Sequence, residues 1–277
     1  MNAELFSAKE ILSAYLDCRK RKRNTINSIE FEIDQVSQLT GLNKVLSIGK
    51  YQPGKSICFV VKYPKNREIF AADFKDRVVH HLLVRELEKH WEKVFIFDSF
   101  ACRKNKGTLA AVERLTHFMR SSSDNGKKRA YYLQLDVKNF FMSINKSVLF
   151  KIIDAGLRKM LRISKDKLLF DEKKLAKYNE LYNLTAVILF NDPTINFQKK
   201  GTLSDWERLD SSKSLFNAPA GTGIPIGNLT SQFFANVYLN ELDQFAKHKS
   251  RLQNSEHLKS GLFSISESLL KNYLRFC

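Results

Sequence analysis

One acidic residue in the middle of an apolar run is the first candidate for metal chemistry. Asp136 stands in residues 130–144, a stretch rich in the apolar and aromatic residues that favour strands. Because side chains alternate across a strand, Leu133, Leu135 and Val137 share one face and Asp136 lies on the other. The simpler interpretation is a buried aspartate that caps a turn. The chemical one is a carboxylate that binds magnesium at the end of a strand.

An aromatic residue shortly after this acid favours the chemical interpretation. Phe141 follows Asp136 closely, and the Ser143-Ile144 step after it indicates a turn that brings the flat ring back towards the carboxylate. Polymerases use such a pair: an aspartate binds the catalytic magnesium ions, and a ring beneath the incoming sugar excludes a 2′-hydroxyl. The pattern therefore makes nucleotidyl transfer one function to test.

A second stretch, residues 221–243, combines a glycine-rich loop with a helix. Its three glycines and Pro225 permit a backbone that lies close to a ligand, and Asn228 is of the residue type that caps helix N-termini. A glycine-rich loop alone is usually only a turn. Here the order is informative, because an acidic strand precedes a glycine loop that opens an amphipathic helix.

Together, the two stretches resemble the third and fourth sequence blocks of reverse transcriptases, the RNA-directed DNA polymerases. The resemblance is closest to the enzymes of bacterial and phage diversity-generating retroelements, whose glycine-loop block reads Ile/Val/Leu-Gly-x-x-x-Ser-Gln. Residues 226–232 of this chain read Ile-Gly-Asn-Leu-Thr-Ser-Gln, and residues 67–83 and 98–108 are also similar to this group. The match extends over about residues 28–247. It implies error-prone copying of an RNA template into cDNA and a small basic accessory protein as partner.

The resemblance also implies chemical roles for individual residues. Asp136 would be the catalytic carboxylate, and Asp136 with the backbone carbonyl of Val137 would hold Mg²⁺ in a two-ion site. Phe141 would be the sugar gate. The remaining residues that it implies for the nucleotide pocket lie together in the glycine loop, namely Pro225, Ile226 and Gly227.

Basic and polar residues at three further places are expected to contact phosphates or template. The resemblance implies that Arg67, with Lys62 or Lys65, binds the phosphates of the incoming dNTP, although a charged turn is an equally good interpretation for each lysine. The polar loop at residues 98–108 suits a phosphate backbone. The residues expected to contact RNA template and RNA–DNA duplex are Arg103, Lys104, Lys106, Ser231 and Gln232.

Composition independently points to a polyanionic partner. The chain of 277 residues has a formal net charge of +17, and so many uncompensated cations repel one another unless phosphates neutralise them. Its 43% hydrophobic content is enough for a folded core. Scattered cysteines, no signal-peptide pattern and no long apolar run favour a cytoplasmic protein that is not in a membrane.

The expected metal site is incomplete in this sequence. A two-ion polymerase needs more than one carboxylate, and the chain contains no Asp-Asp pair of the kind that reverse transcriptases place after the glycine-loop helix. We therefore expect fingers and most of the palm, without a thumb and without activity of this chain alone, unless Asp243 or Glu241 completes the site. Two alternatives stay open: a non-catalytic RNA-binding protein that keeps the fold, and a retron or intron type of reverse transcriptase.

The elements that must position these residues give an α+β fold of right-hand polymerase fingers and palm. We predict a basic helical extension at 1–27, fingers at about 28–75 and 156–215, and palm at about 76–155 and 216–277. Helices are predicted at 8–18, 28–46, 74–93, 147–161, 175–190 and 228–248. A hairpin arm is predicted at 49–63 with its turn at Pro53-Gly54, and a strand at 130–137 that carries Asp136.

Overall fold

The computed structural model of the chain describes residues 6–20, 22–131, 134, 136–162 and 171–249, which form a mixed α+β fold dominated by helices. In chain order the helices are α1 (Ala8–Arg19), α2 (Ile26–Ile33), α3 (Gln35–Ser47), α4 (Phe74–Val94), α5 (Thr108–Ser122), α6 (Phe140–Ser143), α7 (Lys146–Leu161), α8 (Glu172–Phe190), α9 (Leu203–Glu207) and α10 (Leu229–Gln244). The strands are β1 (Ser56–Val61), β2 (Arg67–Ala71) and β3 (Phe197–Lys199).

Helix α4 is the centre around which the other helices pack. Its apolar residues point in several directions rather than along one stripe, so a single neighbour cannot cover them. Helices α1, α2, α7, α8 and α10 all contact it. The side chains that α4 contributes to the shared core include Val78, Val79, Leu82, Leu83, Leu87 and Trp91. The predicted helices at 74–93, 147–161 and 175–190 are confirmed.

A single glycine sets the distance between α7 and α4. A Cβ atom added to Gly156 would lie 2.2 Å from the ring of Trp91, which is itself only 2% exposed. No side chain fits there, so glycine lets the two helices approach until the indole covers the α7 backbone. Trp91 also packs edge to face with Phe233 of α10 at 6.0 Å, which ties a third helix to the same point.

The small sheet corrects the predicted hairpin. Strands β1 and β2 pair in antiparallel register from Ile57↔Ala71 to Val61↔Arg67, and β3 pairs with β1 in parallel. The turn of the hairpin therefore spans 62–66, and Pro53-Gly54 precedes it. Gly54 instead donates its backbone N–H to the buried carboxylate of Asp76, 2.8 Å away. The Pro53-Gly54 pair therefore makes a tertiary contact and does not form the hairpin turn.

The alternating apolar residues of β1 do not line its buried face. Ser56 and Cys58 are buried, whereas Ile57 and Phe59 are half-buried and Val61 is exposed. The apolar cluster under the sheet is built around Cys58, Phe70, Met142 and Leu215. Apolar alternation along a strand therefore does not by itself decide which side faces the core.

The N-terminal helices differ from the prediction in two respects. Helix α1 buries Ile11 and Tyr15 in the α4 core, but its apolar residues Leu12 and Leu16 are 41% and 48% exposed, so the predicted helix at 8–18 is not apolar on its inward side alone. The predicted helix at 28–46 is two helices, because the backbone leaves helical geometry at Asp34 (φ −123°, ψ 43°). Since α2 begins at Ile26, it crosses the predicted boundary at 27; the division into extension, fingers and palm stays a prediction.

The predicted strand at 130–137 is not a strand where the structure describes it. Gln134, Asp136 and Val137 have no regular secondary structure and are exposed, while Tyr132, Leu133 and Leu135 lie outside the described residues. A strand needs a neighbour for its backbone hydrogen bonds, and the described residues of this segment do not pair with the sheet of β2, β1 and β3. The β-prone composition was therefore not sufficient.

Candidate functional site

The glycine loop at 221–227 is hydrogen-bonded to the segment that follows Asp136. The N–H of Ile224 donates to the carbonyl of Phe141, and the N–H of Gly223 donates to the carbonyl of Ile144, each at 2.9 Å. These bonds satisfy backbone groups of a loop that has no regular structure of its own. Two stretches about eighty positions apart in the sequence thus become neighbours.

The other side of the loop is bound to β2. Phe70 donates its N–H to the carbonyl of Ile226 at 2.8 Å, and the side-chain oxygen of Asn228 accepts the N–H of Ala72 at 3.1 Å. Asn228 is 7% exposed and stands at the N-cap position of α10, but its side chain does not cap that helix. The residue predicted as a cap instead anchors the loop to the strand that begins at Arg67.

Glycine is required at two positions of this loop. A Cβ atom on Gly227 (φ +126°) would lie 2.7 Å from a methyl group of Ile69 and 3.1 Å from the carbonyl oxygen of Phe70. A Cβ atom on Gly223 (φ +83°) would lie 2.9 Å from a methyl group of Leu215. Both glycines combine a left-handed backbone with close packing, so the loop can lie directly on its neighbours.

The turn between β1 and β2 carries the cations expected to bind nucleotide phosphates. Lys62 pairs with Asp205 at 2.6 Å, and the side-chain amide of Asn66 donates to the carbonyl of Arg208 at 2.9 Å. Both contacts fasten the turn to the α9 region. Lys65 and Arg67 are exposed and have no ion-pair partner in the described part of the chain. Arg67 and Lys65 are therefore more available to a phosphate than Lys62.

The contact between Lys62 and Asp205 lowers the pKa of the Asp205 carboxyl group. The hydrogen bond from the Lys62 ammonium, helped by the N–H of Thr202, lowers the pKa of Asp205 to about 2. The carboxylate is therefore charged at any physiological pH. A phosphate that recruits Lys62 must compete with this partner.

A buried carboxylate fixes β2 next to the exposed Arg67. Glu68 is 1% exposed and accepts two hydrogen bonds at 2.7 Å, from the hydroxyl of Ser214 and the N–H of Leu215. Burial raises the pKa of Glu68, and these donors oppose that shift. The chain leading into the glycine loop is thereby attached to the same strand as the loop itself.

The expected metal ligands do not form a two-ion site in the described residues. Asp136 and Val137 are exposed. No group of three His, Cys, Asp or Glu side chains that could hold a metal ion occurs in the described ranges. Burial raises the pKa of Asp243, and the nearby charge of Arg103 opposes this shift. Because Mg²⁺ needs several oxygen ligands in octahedral geometry, one exposed aspartate does not fit a pair of such ions.

Phe141 is half-buried beside the loop that its carbonyl holds. Its ring packs edge to face with Phe140 at 5.6 Å, and the ring of Phe140 packs on Tyr238 of α10 at 6.4 Å. This packing fixes the position of the ring relative to the glycine loop. Its action as a sugar gate stays a prediction.

The cations expected to contact the template have partners within the chain. Arg103 pairs with Glu92 at 2.9 Å, donates to the carbonyls of Ile96 and Ser99, and is only 7% exposed in its side chain. Its guanidinium is therefore enclosed beside the 98–107 loop. Arg103 was expected on a surface that faces phosphates, and this burial does not agree with that expectation.

The two lysines of the same loop are more accessible. Lys104 pairs with Glu88 at 2.9 Å but remains 77% exposed, and Lys106 donates to the carbonyl of Phe97 at 2.8 Å. The ammonium of Lys106 also lies 3.5 Å from the centre of the Phe97 ring. Of the three cations, Lys104 retains the most surface for a phosphate.

The two polar residues expected to face the template differ sharply in exposure. Gln232 is exposed on α10, whereas Ser231 is 3% exposed and points into the protein. A contact of the Ser231 side chain with template does not agree with this burial. Asn236, one turn after Gln232, donates to the carbonyl of Ala101 at 2.7 Å and so joins α10 to the 98–107 loop.

Sequence reasoning missed the residues that hold the site together. Glu68, Asn66 and Asp205 act through partners far away in the sequence, so no local pattern indicates them. A weak signal existed for Glu68, because an acid inside an otherwise β-prone strand requires buried donors. Asn228 was predicted to cap α10, but its side chain instead accepts the N–H of Ala72.

Comparisons with known proteins do not add a family. No protein-family model matches the chain, and no curated protein matches it. The described helices include none that is long and apolar enough to cross a membrane.

Proposed function

We propose that this chain is the fingers and most of the palm of a reverse transcriptase, and that the surface around the glycine loop binds a nucleotide and a primed RNA template. The observation that carries the proposal is the joint attachment of the loop at 221–227 to the segment after Asp136 and to β2. Three stretches that resemble separate blocks of that family are thereby brought together. A cytoplasmic location and an error-prone retroelement lineage with a small basic partner belong to the same proposal.

The residues around the loop support binding of phosphates. Arg67 and Lys65 are exposed at the base and turn of the hairpin, and the net charge of +17 attracts polyanions over longer range. Gly223 and Gly227 let the loop pack directly on Leu215 and β2, which fixes the loop against the strand that begins at Arg67. Phe141, packed on Phe140, supplies a rigid ring at the edge of this surface.

Magnesium supplies the charge neutralisation that nucleotidyl transfer needs when it is bound in such enzymes. The described residues do not offer the carboxylates for a two-ion site, so we derive no catalytic step. What this chain's residues do by themselves is bind, orient and shield a nucleic acid and a nucleotide.

The shortage of carboxylates among the described residues also favours a second candidate, a non-catalytic RNA-binding protein with this fold. Such a protein uses the same cations but has no need of the Asp136 carboxylate. The two candidates therefore share their binding behaviour, and only magnesium-dependent synthesis by this chain would favour the polymerase over the non-catalytic protein.

Binding is tested with a labelled RNA–DNA duplex and the full chain. Affinity should fall steeply with salt, and the double variant Lys65→Ala/Arg67→Ala should weaken binding about tenfold and lower the salt slope by about two. Lys173→Ala, an exposed lysine at the start of α8, is the matched control and should leave affinity unchanged. Equal loss in the control and the double variant would overturn the proposed surface.

Synthesis is tested by primer extension with magnesium, wild type against Asp136→Asn. We expect no extension by this polypeptide, because one exposed carboxylate does not fit a two-ion site. Extension that Asp136→Asn abolishes would establish the polymerase and show that a further carboxylate takes part. Extension that survives Asp136→Asn would refute the assigned role of Asp136.

A further inference from the structure

A cavity of about 260 Å³ lies away from the glycine loop, between the end of α3, the middle of α8 and the chain at Phe6. Its apolar wall includes Phe6, Leu46, Leu184 and Val187. Such a volume is large enough for a small organic molecule and, with these walls, favours an apolar body. It shares no lining residue with the proposed nucleotide site, so it can be tested independently of that site.

The polar side of this cavity comes from successive turns of α8. Asn179, Glu180 and Asn183 line it together. The side chain of Glu180 is 6% exposed, and neither of its carboxylate oxygens has a hydrogen-bond partner among the described residues. A buried polar group without a partner is costly, so it is rare unless a partner is supplied from elsewhere.

The cations near Glu180 are shared with another acid. Lys177 Nζ lies 3.7 Å from Glu180, 3.8 Å from Glu86 and 4.0 Å from the centre of the Phe6 ring. Lys89 pairs more closely with Glu86, at 2.5 Å. Glu10, which also faces Glu180, accepts hydrogen bonds from Ser7. Among the described residues, three carboxylates therefore face two ammonium groups at this end of the cavity.

This imbalance acts on Glu180. Burial and, after it, the nearby charges of Glu10 and Glu86 raise the pKa of Glu180 to about 7, against the opposing charge of Lys177. A cation placed in the cavity would reverse that shift. An anion would meet repulsion, and a divalent metal ion would lack oxygen ligands, since no suitable group of His, Cys, Asp or Glu occurs in the described ranges.

We propose that this cavity binds a small organic amine, with the ammonium group paired to Glu180 and the apolar body against Phe6, Leu46 and Leu184. An ammonium group has three N–H donors. The Glu180 carboxylate accepts one or two of them, and the side-chain carbonyls of Asn179 and Asn183 are the acceptors for the rest. The site thus discriminates by charge at one end and by shape at the other.

The probes for this site are 2-phenylethylamine and its neutral counterpart 2-phenylethanol, measured by calorimetry on the full chain. The wild type should bind the amine at least tenfold more tightly than the alcohol. Glu180→Gln, which keeps the shape and removes the charge, should weaken amine binding about tenfold and leave alcohol binding unchanged. Glu172→Gln, an exposed acid of the same helix, should change neither.

Two further measurements keep the test decisive. Amine affinity should rise about tenfold between about pH 6 and pH 8 as Glu180 ionises, and this rise should be absent in Glu180→Gln. Ala176→Leu, which narrows the cavity without touching the carboxylate, should weaken both probes. Equal amine binding by wild type and Glu180→Gln, or no binding by wild type at millimolar concentration, would overturn the proposal. Arg67→Ala should leave amine binding unchanged, which separates this inference from the proposed function.

Discussion

The glycine loop and the Asp136 segment were expected to form two halves of one centre, but they are held in very different ways. The loop is hydrogen-bonded on one side to Phe141 and Ile144 and on the other to β2, and Asn228 beneath it is buried. Asp136 is exposed, and the segment around it has no regular structure where it is described. The glycine loop is therefore held in place by hydrogen bonds to other parts of the chain, whereas Asp136 is exposed.

The contrast shows what a sequence motif needs before it becomes a site. The loop has neighbours from distant parts of the chain, and each supplies a hydrogen-bond donor or acceptor for its backbone or for Asn228. The described residues of the β-prone run before Asp136 have no strand partner, so they make no extended pairing. Substitutions in the two regions should accordingly have very unequal effects on stability.

The largest effect is expected from Gly227→Ala. The new methyl group would meet Ile69 and the carbonyl of Phe70, and the left-handed backbone at φ +126° disfavours alanine. Together these should lower the free energy of unfolding by about 3 kcal/mol. Gly221→Ala is the control, because its Cβ meets no atom within 4 Å, and it should cost about 1 kcal/mol. Urea denaturation measures both; equal losses would mean that the loop does not pack against β2 as described.

Asn228→Ala should have the next largest effect. It leaves the buried N–H of Ala72 without its acceptor, which should lower the free energy of unfolding by about 2 kcal/mol. Asn236 also bonds to the backbone, but as a donor to the carbonyl of Ala101 and at an exposed position, so Asn236→Ala should cost less than about 1 kcal/mol. Amide hydrogen exchange at Ala72 gives the local readout. Unchanged exchange there in Asn228→Ala would contradict the assigned anchor.

Asp205→Asn should change binding more than stability. It releases Lys62 from its partner, so affinity for an RNA–DNA duplex at low salt should rise about threefold in fluorescence anisotropy. The pKa of Asp205 is lowered to about 2 from 3.8, so the pair stabilises the fold above its unfolded pKa, and this contribution is lost as pH falls through about 2. The variant should lack that acid dependence. A weaker duplex affinity in Asp205→Asn would show that the pair orders the turn for binding.

Asp136→Asn should be the mildest change to the fold. Its side chain is exposed, so the free energy of unfolding should change by less than about 0.5 kcal/mol. Urea denaturation of Asp136→Asn measures this change in the free energy of unfolding. A loss above about 1.5 kcal/mol would show that Asp136 is buried or paired, and would remove the contrast with the glycine loop.

Much of the helical framework could be read from the sequence. The apolar repeat at 74–93 predicts α4 (Phe74–Val94) almost to the residue, and the repeats at 147–161 and 175–190 predict α7 and α8 well. Such repeats are long and have one consistent period, so local pattern and tertiary packing agree. The helix break at Asp34 and the displaced hairpin turn were missed, because single turn signals are weaker than a competing tertiary contact such as that of Gly54 with Asp76.

The candidate site was predictable in its parts but not in its assembly. Residue types alone drew attention to Asp136, Arg67 and the glycine loop, and charge alone indicated a polyanionic partner. Whether a given cation is free for that partner could not be read in this way. Arg103 and Lys104 are adjacent in sequence, yet one is enclosed by Glu92 and two carbonyls while the other is 77% exposed.

The sequence by itself determined the mixed α+β composition, the helical repeats, the strongly basic charge and the positions where glycine permits unusual backbone. Only the tertiary structure decided which groups pair. Asn228 binds Ala72 instead of its own helix, Ser231 is buried while Gln232 is exposed, and Glu180 lines a cavity without a hydrogen-bond partner among the described residues. The physical reason is that burial and hydrogen bonding are properties of surroundings built from distant segments, whereas propensity and charge belong to each residue.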